Sequence, residues 1–280
     1  MHFKLAHFKI ALCAILLNAC TVIPTATSRS DNATALAEKA GWQPMRLPTG
    51  KFVLASFVPS HAAISDTLTV YIEGDGFAWV TSSQPSTDPT PVTPVALQLA
   101  LNQPGGVAAY LTRPCQYVMS ESCEQKYWTS HRFAPEVITA TNLGIDALKL
   151  RFHAQKLVLI GYSGGGAVAA LAAAWRNDVI RLITVAGNLD HAAWTKQHHT
   201  TPLSGSLNAA DEWQALQYVP QMHFVGGQDK VVNREIIESY VARYPNNQQP
   251  KVRIIKDFEH QCCWAEHWHE LYLETFKLSM

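Results

Sequence analysis

The chain has 280 residues, with 22 Lys and Arg against 22 Asp and Glu and 48% apolar side chains. Zero formal charge excludes a basic nucleic-acid footprint and a long acidic tail, so no nucleic-acid partner is expected. With only 16% charged residues the composition is globular, not disordered, and the length holds one large α/β domain or two small ones.

Residues 1–9 carry Lys4 and Lys9, and residues 10–17, IALCAILL, form an apolar run. The run is shorter than the about 20 residues that span a bilayer. A basic start, a short apolar run and then small residues are the pattern of a secretory signal over residues 1–19. Leu17-Asn18-Ala19-Cys20 resembles the lipobox of bacterial lipoproteins, which implies cleavage before Cys20 and lipidation of its thiol. The alternative is an ordinary cleaved signal with Cys20 as an incidental thiol. Acyl chains on one cysteine would anchor the chain in a membrane, at about 0.8 kcal/mol per buried CH₂. Thr21 after the cysteine, where Asp is absent, points among lipoproteins to the outer membrane, facing the periplasm. Without Lys4 and Lys9 the charge count becomes 20 against 22.

Residues 21–32, TVIPTATSRSDN, show no apolar period and read as a tether that reaches about 40 Å when stretched. The lipid-anchored tether is assigned to residues 20–40, and one folded domain to residues 41–280.

Two β-rich runs, MRLP and KFVLASFVP, flank Pro48-Thr49-Gly50 and predict a hairpin. Strands and helices then alternate. Strands are expected at 68–74, 107–113, 156–162, 179–187, 222–227 and 252–258. Helices are expected at 95–102, 135–153 (opened by Pro135), 167–176, 234–244 and 264–278. Continuous Val/Ile/Leu strands between amphipathic helices predict a mostly parallel sheet covered on both faces. A hairpin plus six β/α units makes eight strands, the number in an α/β-hydrolase. A Rossmann domain would want its Gly-rich turn after the first strand, but here that turn follows the fifth.

That turn is Gly161-Tyr162-Ser163-Gly164-Gly165, a G-x-S-x-G sequence between a strand and an Ala-rich helix. Gly161 and Gly165 keep the elbow small enough for strand and helix to pass, and Ser163 is the candidate nucleophile. The N–H of Gly164, at a helix start, faces where an oxyanion would form. A serine hydroxyl needs a base, and the base needs an orienting carboxylate. In hydrolase order, Asp229 follows the strand at 222–227, and His260 follows the strand at 252–258. Ligands gather at such strand ends in open α/β sheets. Asp190 competes for the acid role, and His191, His198, His199, His267 and His269 for the base. The second oxyanion donor is expected from Glu73-Gly74-Asp75-Gly76, with Asp75 preferred and Gly76 as its neighbour.

Over residues 40–280 the chain resembles α/β-hydrolases of the serine-esterase kind. RPCQY (113–117), YWTSHRF (127–133), GYSGGGAVAALAAA (161–174), TVAGNLDHAAW (184–194) and FVGGQD (224–229) resemble a group of secreted proteobacterial hydrolases. The resemblance implies a small cap or lid, assigned to residues 114–133 and 188–221, with Arg113, Tyr117 and Trp128 either lining the pocket or packing the loop. It implies hydrolysis of a small-molecule ester without a cofactor. Peptidase or lactonase activity on the same residues is the alternative, as is a non-catalytic binding lipoprotein retaining the fold.

Four cysteines remain after Cys13 and Cys20, and an exported compartment favours disulfides. In the fold that the resemblance implies, the strands before Cys115 and Cys262 lie several strands apart, so Cys115–Cys123 is the favoured bridge. Cys262 and Cys263 are left open between an adjacent disulfide and free thiols. His260, the two cysteines, His267 and His269 also invite a zinc reading. The spacing opposes it: the cysteines are adjacent, and histidines two apart lie on different helix faces. No metal is expected.

Overall fold

The computed structural model describes residues 23–61 and 64–277. The expected signal peptide over residues 1–19 and the expected lipidation site Cys20 lie outside the described residues.

The chain opens with helix α1 (Ala26–Lys39) and the hairpin β1 (Trp42–Thr49) and β2 (Phe52–Pro59). Gly50, at φ +73°, makes the turn between them. There follow β3 (Thr67–Ile72), α2 (Val95–Leu101), β4 (Val107–Leu111), α3 (Pro135–Phe152), β5 (Lys156–Tyr162) and α4 (Gly164–Ala174). The last part runs through β6 (Val179–Val185), α5 (His191–Gln197), α6 (Trp213–Leu216), β7 (Gln221–Gly226), α7 (Arg234–Val241), β8 (Lys251–Ile255) and α8 (Trp264–Lys277). All eight strands form one sheet in the order β1-β2-β4-β3-β5-β6-β7-β8. Only the β1–β2 and β2–β4 pairs are antiparallel.

The strand alternation explains why helices cover both faces. Along β3, Leu68, Val70 and Ile72 enter one core with α3 and α4, while Tyr71 enters the other with α1, α2 and α8. β5 divides likewise, Leu157 and Leu159 against Val158 and Ile160. Helix α4 is buried from Gly164 to Ala173, and its alanines let it lie close on the sheet. Helix α8 seals the second core through Trp264 and Trp268, both fully buried. The indole of Trp268 donates to the Tyr71 hydroxyl at 2.9 Å, across 197 residues of chain.

The tether reading needs correction. Helix α1 starts at Ala26, inside the segment expected as a tether, with Thr25 as its N-cap. Its buried residues are Arg29, Ala33 and Ala37, spaced four apart on one face. Alanine contributes no apolar period that stands out in a sequence, yet it suits close packing against the sheet. Strand β1 also begins earlier than expected, at Trp42, because the antiparallel register with β2 extends to Trp42–Pro59. Residues 188–221, expected as a cap, contain α5, a short 3₁₀ turn at Ala209–Glu212, and α6. No helix among the described residues is long and apolar enough to cross a membrane.

Candidate active site

The parallel strands end together on one edge of the sheet, and that edge collects the candidate residues. Ser163 sits between β5 and α4 with φ 52° and ψ −122°, backbone geometry that costs an ordinary residue about 1–3 kcal/mol. Surrounding bonds hold it there. Its N–H donates to the Val185 carbonyl at 2.9 Å, and its carbonyl accepts from Gly166 and Asn188 at 2.9 and 3.0 Å. Gly161 and Gly165 lie where any Cβ would strike backbone. At Gly161 it would come within 2.2 Å of the Gly165 carbonyl oxygen, and at Gly165 within 2.3 Å of the Ile72 oxygen.

His260 follows β8, and its Nε2 lies 2.9 Å from Ser163 Oγ. Its Nδ1 lies 2.8 Å from Asp229 Oδ2, beyond the end of β7. The other carboxylate oxygen of Asp229 accepts N–H bonds from Val231 and Val232 at 2.7 and 2.8 Å. The His260 carbonyl accepts from the Trp264 indole at 3.0 Å and the Tyr162 hydroxyl at 3.1 Å. A buried carboxylate, an imidazole and a hydroxyl therefore form one hydrogen-bonded line. Such a line can draw a proton from the hydroxyl as its oxygen attacks.

Asp190 is placed elsewhere. It caps α5 through the Ala193 N–H, accepts from the Ser239 hydroxyl at 2.6 Å and from Asn208 at 3.0 Å, and faces Arg243 at 3.8 Å. Burial opposes its charge, but these partners hold its carboxyl below the ordinary range. His191 lies tilted against Phe133, His198 bonds the Val231 carbonyl, His267 lies tilted against Phe258, and His199 and His269 are exposed. Cys115 and Cys123 form a disulfide with Cα atoms 5.6 Å apart. Cys262 and Cys263 are joined to each other.

The loop after β3 lies directly against the elbow, since a Cβ on Gly74 would meet Ser163 Cβ at 3.2 Å. The N–H groups of Asp75 and Gly164 take no hydrogen-bond partner among the described residues. The Asp75 carboxylate rests on Gly164, where a Cβ would meet its Oδ1 at 2.2 Å. It is held by Arg113 at 3.3 Å and Arg132 at 2.5 Å, both guanidiniums being buried. Burial works against its charge, but Arg132 and Arg113 outweigh it and keep the carboxyl below its ordinary pKa. One negative and two positive charges leave a net positive charge beside the position an oxyanion would take.

Neither arginine was marked by sequence as a partner of Asp75. The only available signal was an Arg in each of the RPCQY and YWTSHRF segments. Gln116 completes the bracing. Its side chain donates to the Gly74 carbonyl at 2.9 Å and accepts from the Arg113 N–H at 3.0 Å. Trp128 packs within the fold, donating to the Ser86 carbonyl. The cap segment reaches both sides of the site: Trp194 bonds the Val231 carbonyl at 2.7 Å and covers the Arg132 guanidinium at 6.0 Å.

Beneath this loop Glu73 is buried, and burial pushes its carboxyl up to about 7, against hydrogen bonds from Gly74, Ala96 and Tyr110. The folded chain thus keeps a proton that an unfolded chain releases near the ordinary value of 4.5. Stability from this group is full below the unfolded value and declines as pH rises towards about 7. Glu73→Gln, which stays neutral, is expected to gain about 2–3 kcal/mol on wild type between pH ~5 and pH ~8. Urea midpoints at both pH values measure the difference, and a pH-independent gap refutes it.

No protein-family model matches the chain, and no match is found among curated proteins. Solved structures do share its shape. Est1E from Butyrivibrio proteoclasticus superimposes with a TM-score of 0.56 at 16% identity, covering 84% of this chain and 99% of that one. An esterase of Pyrococcus furiosus gives 0.58 at 14% identity, covering 85% and 92%. An alpha-beta serine hydrolase homologue from Coxiella burnetii gives 0.57 at 13% identity, covering 84% and 96%. Together with the strand order and the strand–elbow–helix at Ser163, these similarities show that the chain has the α/β-hydrolase fold.

Proposed function

We propose that the chain is a serine hydrolase of the bacterial envelope, anchored through Cys20, that cleaves carboxylic esters. The observation that carries this reading is the unbroken line Asp229–His260–Ser163, with contacts of 2.8 and 2.9 Å. Ser163 Oγ attacks the ester carbonyl while His260 Nε2 takes its proton. Asp229 holds the imidazole in the required tautomer and offsets its positive charge. The carbonyl oxygen becomes an oxyanion facing the N–H groups of Asp75 and Gly164. The tetrahedral species collapses, the alcohol leaves with the proton held by His260, and an acyl-serine remains. Water, activated by the same imidazole, then releases the acid and restores the hydroxyl.

The electrostatics support this assignment. A carboxylate beside a developing oxyanion would oppose the reaction, but Arg113 and Arg132 more than neutralise Asp75. Esters are preferred to other acyl substrates because esterases are among the proteins that share this shape.

Covalent labelling with a fluorophosphonate tests the reading. Wild type is expected to label, and Ser163→Ala and His260→Ala to lose the label while remaining folded. A folded wild type that stays unlabelled would favour a binding lipoprotein that has kept the fold.

A further inference from the structure

Correcting the tether changes where the domain must sit. The described chain begins at Ile23, already lying on the domain. Ile23 and Pro24 border a cleft of about 310 Å³ shared with Phe77 and Val80. Arg29, buried on the first turns of α1, holds this entry point in place. Its guanidinium donates to the Pro24 carbonyl at 2.8 Å and to the Asp88 carbonyl at 3.0 Å, and lies over the Phe77 ring at 5.0 Å. Ile23 lies three positions beyond Cys20, with Thr21 and Val22 between, a reach of at most about 11 Å. A lipid on Cys20 would therefore enter the bilayer beside this cleft, and no long spacer would hold the domain away.

The surface at that point suits such a neighbour. A small hairpin follows Gly76, with Trp79 bridged to Pro85 and the Val80 N–H donating to the Gln84 carbonyl at 2.8 Å. Trp79 is 39% exposed, Val80 43% and, across the cleft, Ile23 46%. The tip, Thr81-Ser82-Ser83, is uncharged. Among the described residues lining the cleft, Arg29 and Asp88 carry the only charges, and they pair with each other at 3.3 Å. Tryptophan on a neutral apolar rim is the composition favoured at the boundary between headgroups and acyl chains.

We propose that Ile23, Trp79 and Val80 form a docking face for the lipid bilayer, so the domain lies on the membrane surface with its hairpin in the interface. The proposal rests on the Cys20 anchor and is independent of the hydrolase chemistry. Because the hairpin starts one residue beyond Gly76, the docked face continues directly from the candidate oxyanion loop.

The test uses the full chain, purified from membranes and reconstituted in phosphatidylethanolamine–phosphatidylglycerol vesicles, with a bimane label on Thr81→Cys or Leu150→Cys. Leu150, 78% exposed near the start of β5, marks the opposite edge of the sheet. Brominated acyl chains are expected to quench the label at 81 about threefold or more over that at 150. Trp79→Ser with Val80→Ser is expected to reduce that quenching. Unlabelled protein that does not float with vesicles overturns the anchor and the face together. Protein that floats but quenches equally at both positions overturns the face alone, and points to a second copy or another protein as its cover.

Discussion

Asp229→Asn is expected to lower kcat on a carboxylic ester by about four orders of magnitude, with KM little changed. The direction follows from the two oxygens of this carboxylate. Oδ1 accepts from both Val231 and Val232, so an asparagine must keep its own oxygen there. The amide nitrogen then faces His260 Nδ1 at the position of Oδ2, donor against donor. Relief comes only if the imidazole places its proton on Nε2, which then points at Ser163 and can no longer accept the serine proton. The loop keeps its hydrogen bonds, so circular dichroism and the unfolding midpoint should change little. Asp190→Asn provides the contrast, with activity within a few-fold of wild type, because Asp190 serves α5, Ser239 and Asn208. Steady-state kinetics on both variants settles the matter, and equal activities would remove Asp229 from the mechanism.

The second large effect is structural. Gly165→Ala is expected to destabilise the fold by about 3 kcal/mol or more, since its methyl would lie 2.3 Å from the Ile72 oxygen and 2.4 Å from the Glu73 oxygen. Both are backbone atoms beside the site, so neither can swing aside as a side chain would. Gly105→Ala is the matched control, with open space around its Cβ position and an expected change near zero or slightly stabilising. Urea denaturation of the two variants measures the difference. Comparable midpoints would mean that helix α4 can slide away from β3 at little cost.

How legible these features were depended on the distance over which each is determined. The inner strands of the parallel sheet announced themselves as Val/Ile/Leu runs because both of their faces are covered, unlike the exposed edge strand β8. Ser163, Asp229 and His260 could be chosen because each follows a strand, and the sheet brings strand ends together whatever lies between. Helix α1 escaped because Ala33 and Ala37 bury a face without any apolar stripe, and its buried arginine looks like a surface residue in sequence. The cluster around Asp75 escaped for a different reason. Arg113 and Arg132 lie 38 and 57 residues from their partner, on loops whose paths no local pattern dictates. Glu73 could be placed in the expected donor loop, but not as a buried acid, because that depends on α2 closing over it.

The bond between Trp268 and Tyr71 has a bearing on the order of events during synthesis. Ser163 leaves the ribosome 97 residues before His260, an interval of about 5–20 s at ordinary rates of elongation. Until then, on the proposed mechanism, it is only an alcohol without the base expected to activate it. The base is in turn held by a loop pinned through Trp264, on the helix that reaches back to β3, one of the first strands made. Reactivity therefore waits for the end of the chain to close on its beginning. A chain interrupted before α8 would carry the proposed nucleophile without the helix that holds its proposed base, so an unfinished copy is expected to be unreactive towards acyl compounds.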